Sequence, residues 1–440
     1  MIGYVTKILM YTNQSPILAH KSCKKSTLIN KILSLTLAAT ISGSLSASGL
    51  SLLQAEQLAL AYDPVLKAQT EQALAVEQET VAVDAWDDPR LRIGVIDVPT
   101  DSFDLAVQPM TELELGYQQM LPRGNTQDVQ VRKKRAQHSQ ISAAIKLRER
   151  EIKMKARNAW LDLYAQQQTE IILLASRQLF NQQLDVSQSL YAAGRSNQQD
   201  VLQADLEVSL VDDKLQKNRS QKHEALARLV QLVGDVDAQL MLDDAAELFQ
   251  SIEDNKVLRE QLRKHPLVQI QDSVVSDVNE NVAMAQQQYK PQWGFDVSYN
   301  RSDGTSIGSE ASSNMSFMLM FDLPLFTSRL QDPLLAASRQ KLQAERYMSQ
   351  DVMLKLTVDL EQTLARWQQL TERLALYDQR VVDQAQQNAR VALKGYQSGV
   401  VSFEAMIRAR NGELEAQMQR LNLYVEKAMI YAQVLYLTAE

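Results

Sequence analysis

The side chains best suited to chemistry are few and scattered. His138, His223 and His265 stand far apart in the chain, with no second histidine or cysteine at the spacing that a zinc-type site needs. Surface or packed histidines explain them better than ligands do. The single cysteine, Cys23, lies near the amino terminus, well before any of them. No glycine-rich phosphate loop is present, and no serine, histidine and acid set is suggested by spacing. These residues predict no catalytic, cofactor or metal site, so the chain reads as a non-enzyme and its elements must carry the function.

Composition describes those elements. The chain has 440 residues, 45% hydrophobic and 22% charged, which excludes disorder throughout. Its 14 glycines and 10 prolines are about half the average usage, which favours long helices over a turn-rich β body. Beyond residue 50 no stretch approaches the roughly 18 apolar residues of a membrane-spanning helix, so a helical membrane transporter is excluded. A net charge of -7 opposes a general nucleic-acid binder, which needs a clustered basic surface. The short basic run from Arg132 to Arg135 lies in a helical pattern and reads as a solvated face.

The first residues have the layout of an export signal. Lys21, Lys24, Lys25 and Lys31 precede the apolar run Ile32 to Ala39, and small residues follow through Ala47. Residues 1–47 are therefore expected to be a signal peptide whose removal takes away Cys23 and five lysines. The remaining chain would be cysteine-free, so its stability must come from packing or oligomerisation.

Breakers bound the helices. No proline lies between Pro122 and Pro266, and none follows Pro333. From Asn125 to about Leu190 helix formers dominate, with apolar residues every three or four positions. That is a rod of roughly 100 Å. A second tract from about Pro333 to Leu393 would reach roughly 90 Å. Each rod leads through a glycine turn into a return helix, about 197–232 and 402–437. Shorter helical patterns at about 51–86 and 254–289 precede strand-like regions.

The chain repeats itself. Pro64, Pro89 and Pro122 recur as Pro266, Pro291 and Pro324, all displaced by 202 residues. Tyr191 to Gly194 (YAAG) recurs as Tyr396 to Gly399 (YQSG). The organisation expected is a first repeat over 48–233, a join over 234–253 and a second repeat over 254–440, each a helix, two strands and a long helical hairpin.

The strands alternate apolar and polar residues. Leu113, Leu115 and Tyr117 face away from Glu112, Glu114, Gly116 and Gln118; Trp293, Phe295, Val297 and Tyr299 face away from Asp296, Ser298 and Asn300. Met315, Phe317, Leu319 and Phe321 form a further apolar row, and Leu91 to Val98 a weaker one. A half-buried soluble sheet is one reading. A membrane β-ribbon is the other, favoured because each strand is near the length that crosses a tilted bilayer and no helix is left to cover the apolar face. Trp86 and Trp293 would suit an interfacial aromatic belt. In that setting barrel packing explains Met315, Met318 and Met320 better than soft-metal binding, although Met318 and Met320 would point inward.

Four strands cannot close a barrel, and an open edge in lipid leaves backbone groups unpaired at several kcal/mol each. Oligomerisation is therefore required; two chains give eight strands and three give twelve. The alternative function class is a soluble periplasmic coiled-coil scaffold or adaptor protein, in which the strands pack against the helices.

At this point the sequence resembles the TolC-like outer membrane efflux protein family over essentially the whole mature chain. Leu50 to Pro64 (LSLLQAEQLALAYDP) is similar to the family's first helix, which ends in an Asn/Asp-Pro pair. The hairpin turns resemble its pattern G-x-x-S-x-x-D-x-L-x-A, through Gly194, Asn197, Asp200, Leu202 and Ala204, and again through Gly399, Ser402, Ala405, Ile407 and Ala409. The resemblance implies a mainly α protein with a small β part: a two-repeat tunnel of long α-hairpins plus four membrane strands per chain, completing a 12-stranded barrel as a homotrimer in the outer membrane. It also implies partners at the hairpin tips, namely a periplasmic adaptor and an inner-membrane efflux transporter of the RND type. Gln108 to Asn125 (QPMTELELGYQQMLPRGN) is most similar to members that accompany heavy-metal efflux transporters.

The departures matter for the tip. Where the family carries acids on the second hairpin, this chain has Ala405 and, one turn on, Arg408; Glu404 lies one position earlier, about 100° around the helix. Asp200 and Tyr396 match family positions that hydrogen-bond between hairpins, so they are expected to help hold a closed tip. A helix-start aspartate and a merely packed tyrosine are the competing reading.

Overall fold

The computed structural model describes residues 49–101, 110–234, 242, 252–302 and 312–438. The expected signal peptide at 1–47 and most of the join at 234–253 lie outside the described residues.

The first repeat begins with helices α1 (Leu52–Tyr62) and α2 (Pro64–Ala82). They are two helices rather than the single pattern expected over 51–86, because Asp63 precedes a proline and takes an extended conformation (φ -63°, ψ 118°). Pro64 then opens α2, where its missing N–H costs nothing. The second repeat breaks in the same way. Helices α5 (Asn255–Leu262) and α6 (Pro266–Gln287) are separated at His265, φ -61° and ψ 137°.

Strands β1 (Arg90–Ile96) and β2 (Glu112–Met120) follow α2, and β3 (Gln292–Ser302) and β4 (Ser312–Asp322) follow α6. The weak run expected to Val98 stops at Ile96, since Asp97 turns to φ 54°, which no strand residue adopts. All four strands form one antiparallel sheet in the order β1-β2-β3-β4. The β2–β3 pairing joins the repeats, Leu115 opposite Tyr299 and Tyr117 opposite Val297.

The first rod is helix α3 (Thr126–Ala192), 67 residues, with return helix α4 (Gln198–Val233). The second is not one uninterrupted α-helix. It comprises α7 (Gln331–Leu376), a π-helical segment over Tyr377–Val381 and α8 (Val382–Gln397), with return helix α9 (Phe403–Leu437). The π segment inserts extra backbone per turn without any proline or glycine to mark it. Asp378 within it pairs with Arg420 of α9.

The rods pack through several separate cores. In the largest, Trp160 stacks on Tyr164 at 5.5 Å and donates its indole N–H to the Leu50 carbonyl at 2.9 Å, amid Ile152, Leu161 and Leu229. A second core at the hairpin ends gathers Phe180, Met406, Phe403 and Tyr396. Full burial of such side chains contributes about 1.5–3 kcal/mol each.

Candidate functional site

Two places combine uncommon geometry with exposed chemistry: the sheet, and the ends of the hairpins.

The register aligns the apolar residues of all four strands on one face. Leu91, Ile93 and Val95 of β1 lie opposite Tyr117, Leu115 and Leu113; Tyr117 and Leu115 continue to Val297 and Tyr299, and these to Phe317 and Met315. Among the described residues no helix is packed on this face. Ile93 is 73% exposed and Phe317 74%, so the aligned rows form an uncovered apolar patch of the kind that marks a membrane or protein interface. Trp293 stands at the end of the ribbon with its ring 5.5 Å from that of Phe321, and Trp86 is exposed just before β1.

The opposite face is polar. Arg92 of β1 donates to both carboxylate oxygens of Asp296 on β3, at 2.8 and 2.9 Å, and lies 3.2 Å from Glu114 of β2. Gly116 sits beneath that guanidinium; a Cβ there would lie 3.1 Å from Arg92 Nε. Met318 and Met320 share this face, opposite Asp296 and Gly294, whereas Met315 is on the apolar side. Among the described residues the outer edges of β1 and β4 have no partner strand.

The hairpin turns are built alike. Gly194 (φ 70°) and Gly399 (φ 79°) each follow a helix end in the left-handed region that glycine tolerates. The Arg195 N–H bonds the Leu190 carbonyl and the Val400 N–H the Gly395 carbonyl, both at 2.8 Å, closing the last turn of each helix.

These turns bring Asp200 and Tyr396 together. The Tyr396 hydroxyl donates to Asp200 Oδ2 at 3.2 Å. Ser196 donates to the same oxygen at 2.8 Å, and its Oγ lies 3.2 Å from the Tyr396 hydroxyl oxygen. Tyr396 is buried, its ring edge-on to Phe403 at 5.5 Å. Ser196 was not singled out by sequence reasoning; its only signal is its place two residues after Gly194. Glu404 and Arg408 pair with each other along α9 at 3.6 Å, both about three-quarters exposed, a pair worth little. Among the described residues no hydrogen bond or ion pair joins them to Asp200 and Tyr396.

His138, His223 and His265 stay apart, and among the described residues no group of three or more histidine, cysteine or acidic side chains could hold a metal. His265 instead caps α6, its Nδ1 accepting from the Leu267 N–H at 3.2 Å while Nε2 faces the Tyr436 carbonyl at 3.1 Å. Burial, with the Arg150 guanidinium nearby, pushes its pKa down to about 4. Among the described residues no helix is long and apolar enough to cross a membrane.

Residues 257–434 match the family model described as outer membrane efflux protein. Among solved structures, the outer-membrane channel OprN has TM-score 0.75 at 18% identity, with 88% of this chain and 89% of that chain covered. CusC, described for its transmembrane channel formation, has TM-score 0.76 at 15% identity, covering 88% and 92%. The CmeC outer membrane channel of Campylobacter jejuni has TM-score 0.69 at 12% identity, covering 96% and 94%. No curated protein matches the sequence.

Proposed function

We propose that this chain is the outer-membrane channel of a tripartite efflux pump, on the match of residues 257–434 to the outer membrane efflux protein model and the fold shared with solved outer-membrane channels. It works as a passive conduit, not as an enzyme. Three copies would place β4 of one chain against β1 of the next, close twelve strands and satisfy both open edges. The single observation that carries this reading is the unpartnered apolar face shared by all four strands. Lipid is the solvent such a face fits. The polar face, with Arg92, Glu114 and Asp296, would then line the lumen.

The rods would extend the conduit into the periplasm, where the hairpin ends dock on a periplasmic adaptor and an inner-membrane transporter of the RND type supplies the energy. Asp200 and Tyr396, with Ser196, would hold the tip closed. Heavy-metal ions are the substrate class we assign, on the likeness of Gln108 to Asn125 alone. The experiment is deletion of the gene followed by challenge. Loss of tolerance to exported compounds, restored by the full chain, supports the conduit. Unchanged metal tolerance with collapsed drug tolerance removes the metal assignment and leaves the conduit intact.

A further inference from the structure

The two repeats meet the long rod α3 at equivalent breaks, and the breaks differ in charge. At the first, Asp63 caps α2 and accepts Arg148 Nη2 at 2.7 Å, Arg148 Nε at 3.3 Å and the Leu66 N–H at 2.7 Å. The residue 202 positions later is His265, which caps α6 with a neutral ring nitrogen. The second break therefore lacks the carboxylate that the first one has.

Beside His265 lies a cavity of about 340 Å³, between α3, the start of α6 and the end of α9. Its lining includes Lys146, Arg150, Lys153, Arg157 and Lys264 against one carboxylate, Glu149. The four on α3 recur at spacings of four, three and four, so they share one helix face. Arg157 is bound by Glu56 at 2.6 Å, and Arg150 donates to the Tyr436 carbonyl at 3.3 Å. Among the described residues Lys146, Lys153 and Lys264 form no ion pair. Like charges gathered around a partly enclosed space repel one another, and a bound anion is what relieves that repulsion.

We propose that this cavity binds a small oxyanion of the phosphate or sulfate class, which supplies at the second break the negative charge that Asp63 supplies at the first. Lys153 lies on α3 and Lys264 in the turn just before α6, so one anion held by both ammonium groups would join α3 to the start of α6 through charge-assisted hydrogen bonds. The volume exceeds that of a phosphate and leaves room for bridging water. This site is independent of what the channel carries.

The test uses the purified full chain in detergent, titrated with inorganic phosphate against chloride at matched ionic strength. Ligand linkage predicts a rise in Tm that grows with the logarithm of phosphate concentration above Kd, and broadening of the phosphate ³¹P signal. Lys153→Gln with Lys264→Gln removes two of the repelling charges, so it should hold or raise the Tm measured in chloride and lose the phosphate-dependent rise. His265→Asp, which restores the carboxylate of the first break, should also abolish the rise. A parallel arm with short-chain phosphatidic acid separates a lipid headgroup from free phosphate; a response to either source that the double lysine variant loses supports the site. No response of the natural chain to either, or an undiminished response in the double lysine variant or in His265→Asp, overturns it.

Discussion

Tyr396 and Asp200, 196 residues apart in the chain, meet at the hairpin ends with the phenolic hydroxyl 3.2 Å from the carboxylate, and Ser196 bonds the same oxygen. A carboxylate that accepts two hydroxyl donors joins the two hairpins by charge-assisted bonds. Tyr396→Phe removes one donor and leaves Ser196 in place. Asp200→Ala removes the acceptor of both. Closed-state conductance in planar bilayers is expected to rise in both variants, and more in Asp200→Ala. Unchanged leakage in both would assign the cluster to packing alone.

The two turn glycines offer a cleaner measurement of backbone strain. A Cβ at Gly194 or Gly399 would meet nothing within 4 Å, so substitution costs only the left-handed conformation. Gly194→Ala and Gly399→Ala should each destabilise their turn by about 1–2 kcal/mol. Amide hydrogen exchange at Arg195 and Val400 should speed up accordingly, with no change at the Trp160 core.

The apolar face of the sheet should respond by depth. Phe317, exposed at the middle of β4, is expected to face lipid. Phe317→Arg should cost about 2–4 kcal/mol of membrane stability. The readout is the fraction of heat-resistant oligomer in outer-membrane extracts. Ser316→Arg, on the polar face, should leave that fraction near the natural level.

Acid should weaken the fold in two separate windows. His265 is held neutral in the folded chain down to about 4, from an ordinary value of 6.5. Above 6.5 neither state binds the proton; between 6.5 and about 4 only the unfolded state does, so stability falls as pH falls; below about 4 both do. His265→Asn, which retains a cap, should flatten that limb of the unfolding midpoint against pH. Asp63 shifts the other way. Burial opposes its ionisation, but the Arg148 hydrogen bond and the Leu66 N–H outweigh burial and hold its pKa below 3.8. Its contribution is fully present above 3.8 and is lost as pH falls through the folded value, so Asp63→Asn should alter only the limb below 3.8.

Most of the architecture was legible because it depends on residues with strong local rules. The prolines that recur 202 residues apart mark the two halves, and the period-two runs of β2, β3 and β4 exclude any odd shift of register, which would turn the apolar rows to opposite faces. The breaks before Pro64 and Pro266 were passed over by the single helical patterns expected over 51–86 and 254–289, although the residue before a proline is biased to an extended conformation. The other missed features lack such rules. The π segment at Tyr377–Val381 contains no breaker, and its pairing through Asp378 and Arg420 depends on a helix 42 residues away. Asp63 and His265 differ in charge at equivalent breaks, which becomes visible only when Arg148 and the lysine cavity are in place around them. At the hairpin ends, Asp200 and Tyr396 were nominated by resemblance, whereas Ser196 is fixed by the path of the chain after Gly194 and had no pattern of its own.

The central claim is that this chain completes its sheet only with copies of itself in lipid. Mass measurement of the protein extracted from outer membranes in mild detergent tests it most directly, followed by cryo-electron microscopy of the same particles. A trimer is expected, in which β4 of each chain pairs with β1 of the next around one twelve-stranded barrel. A monomer that stays in the aqueous periplasmic fraction, with Ile93 and Phe317 covered by its own helices, would contradict it.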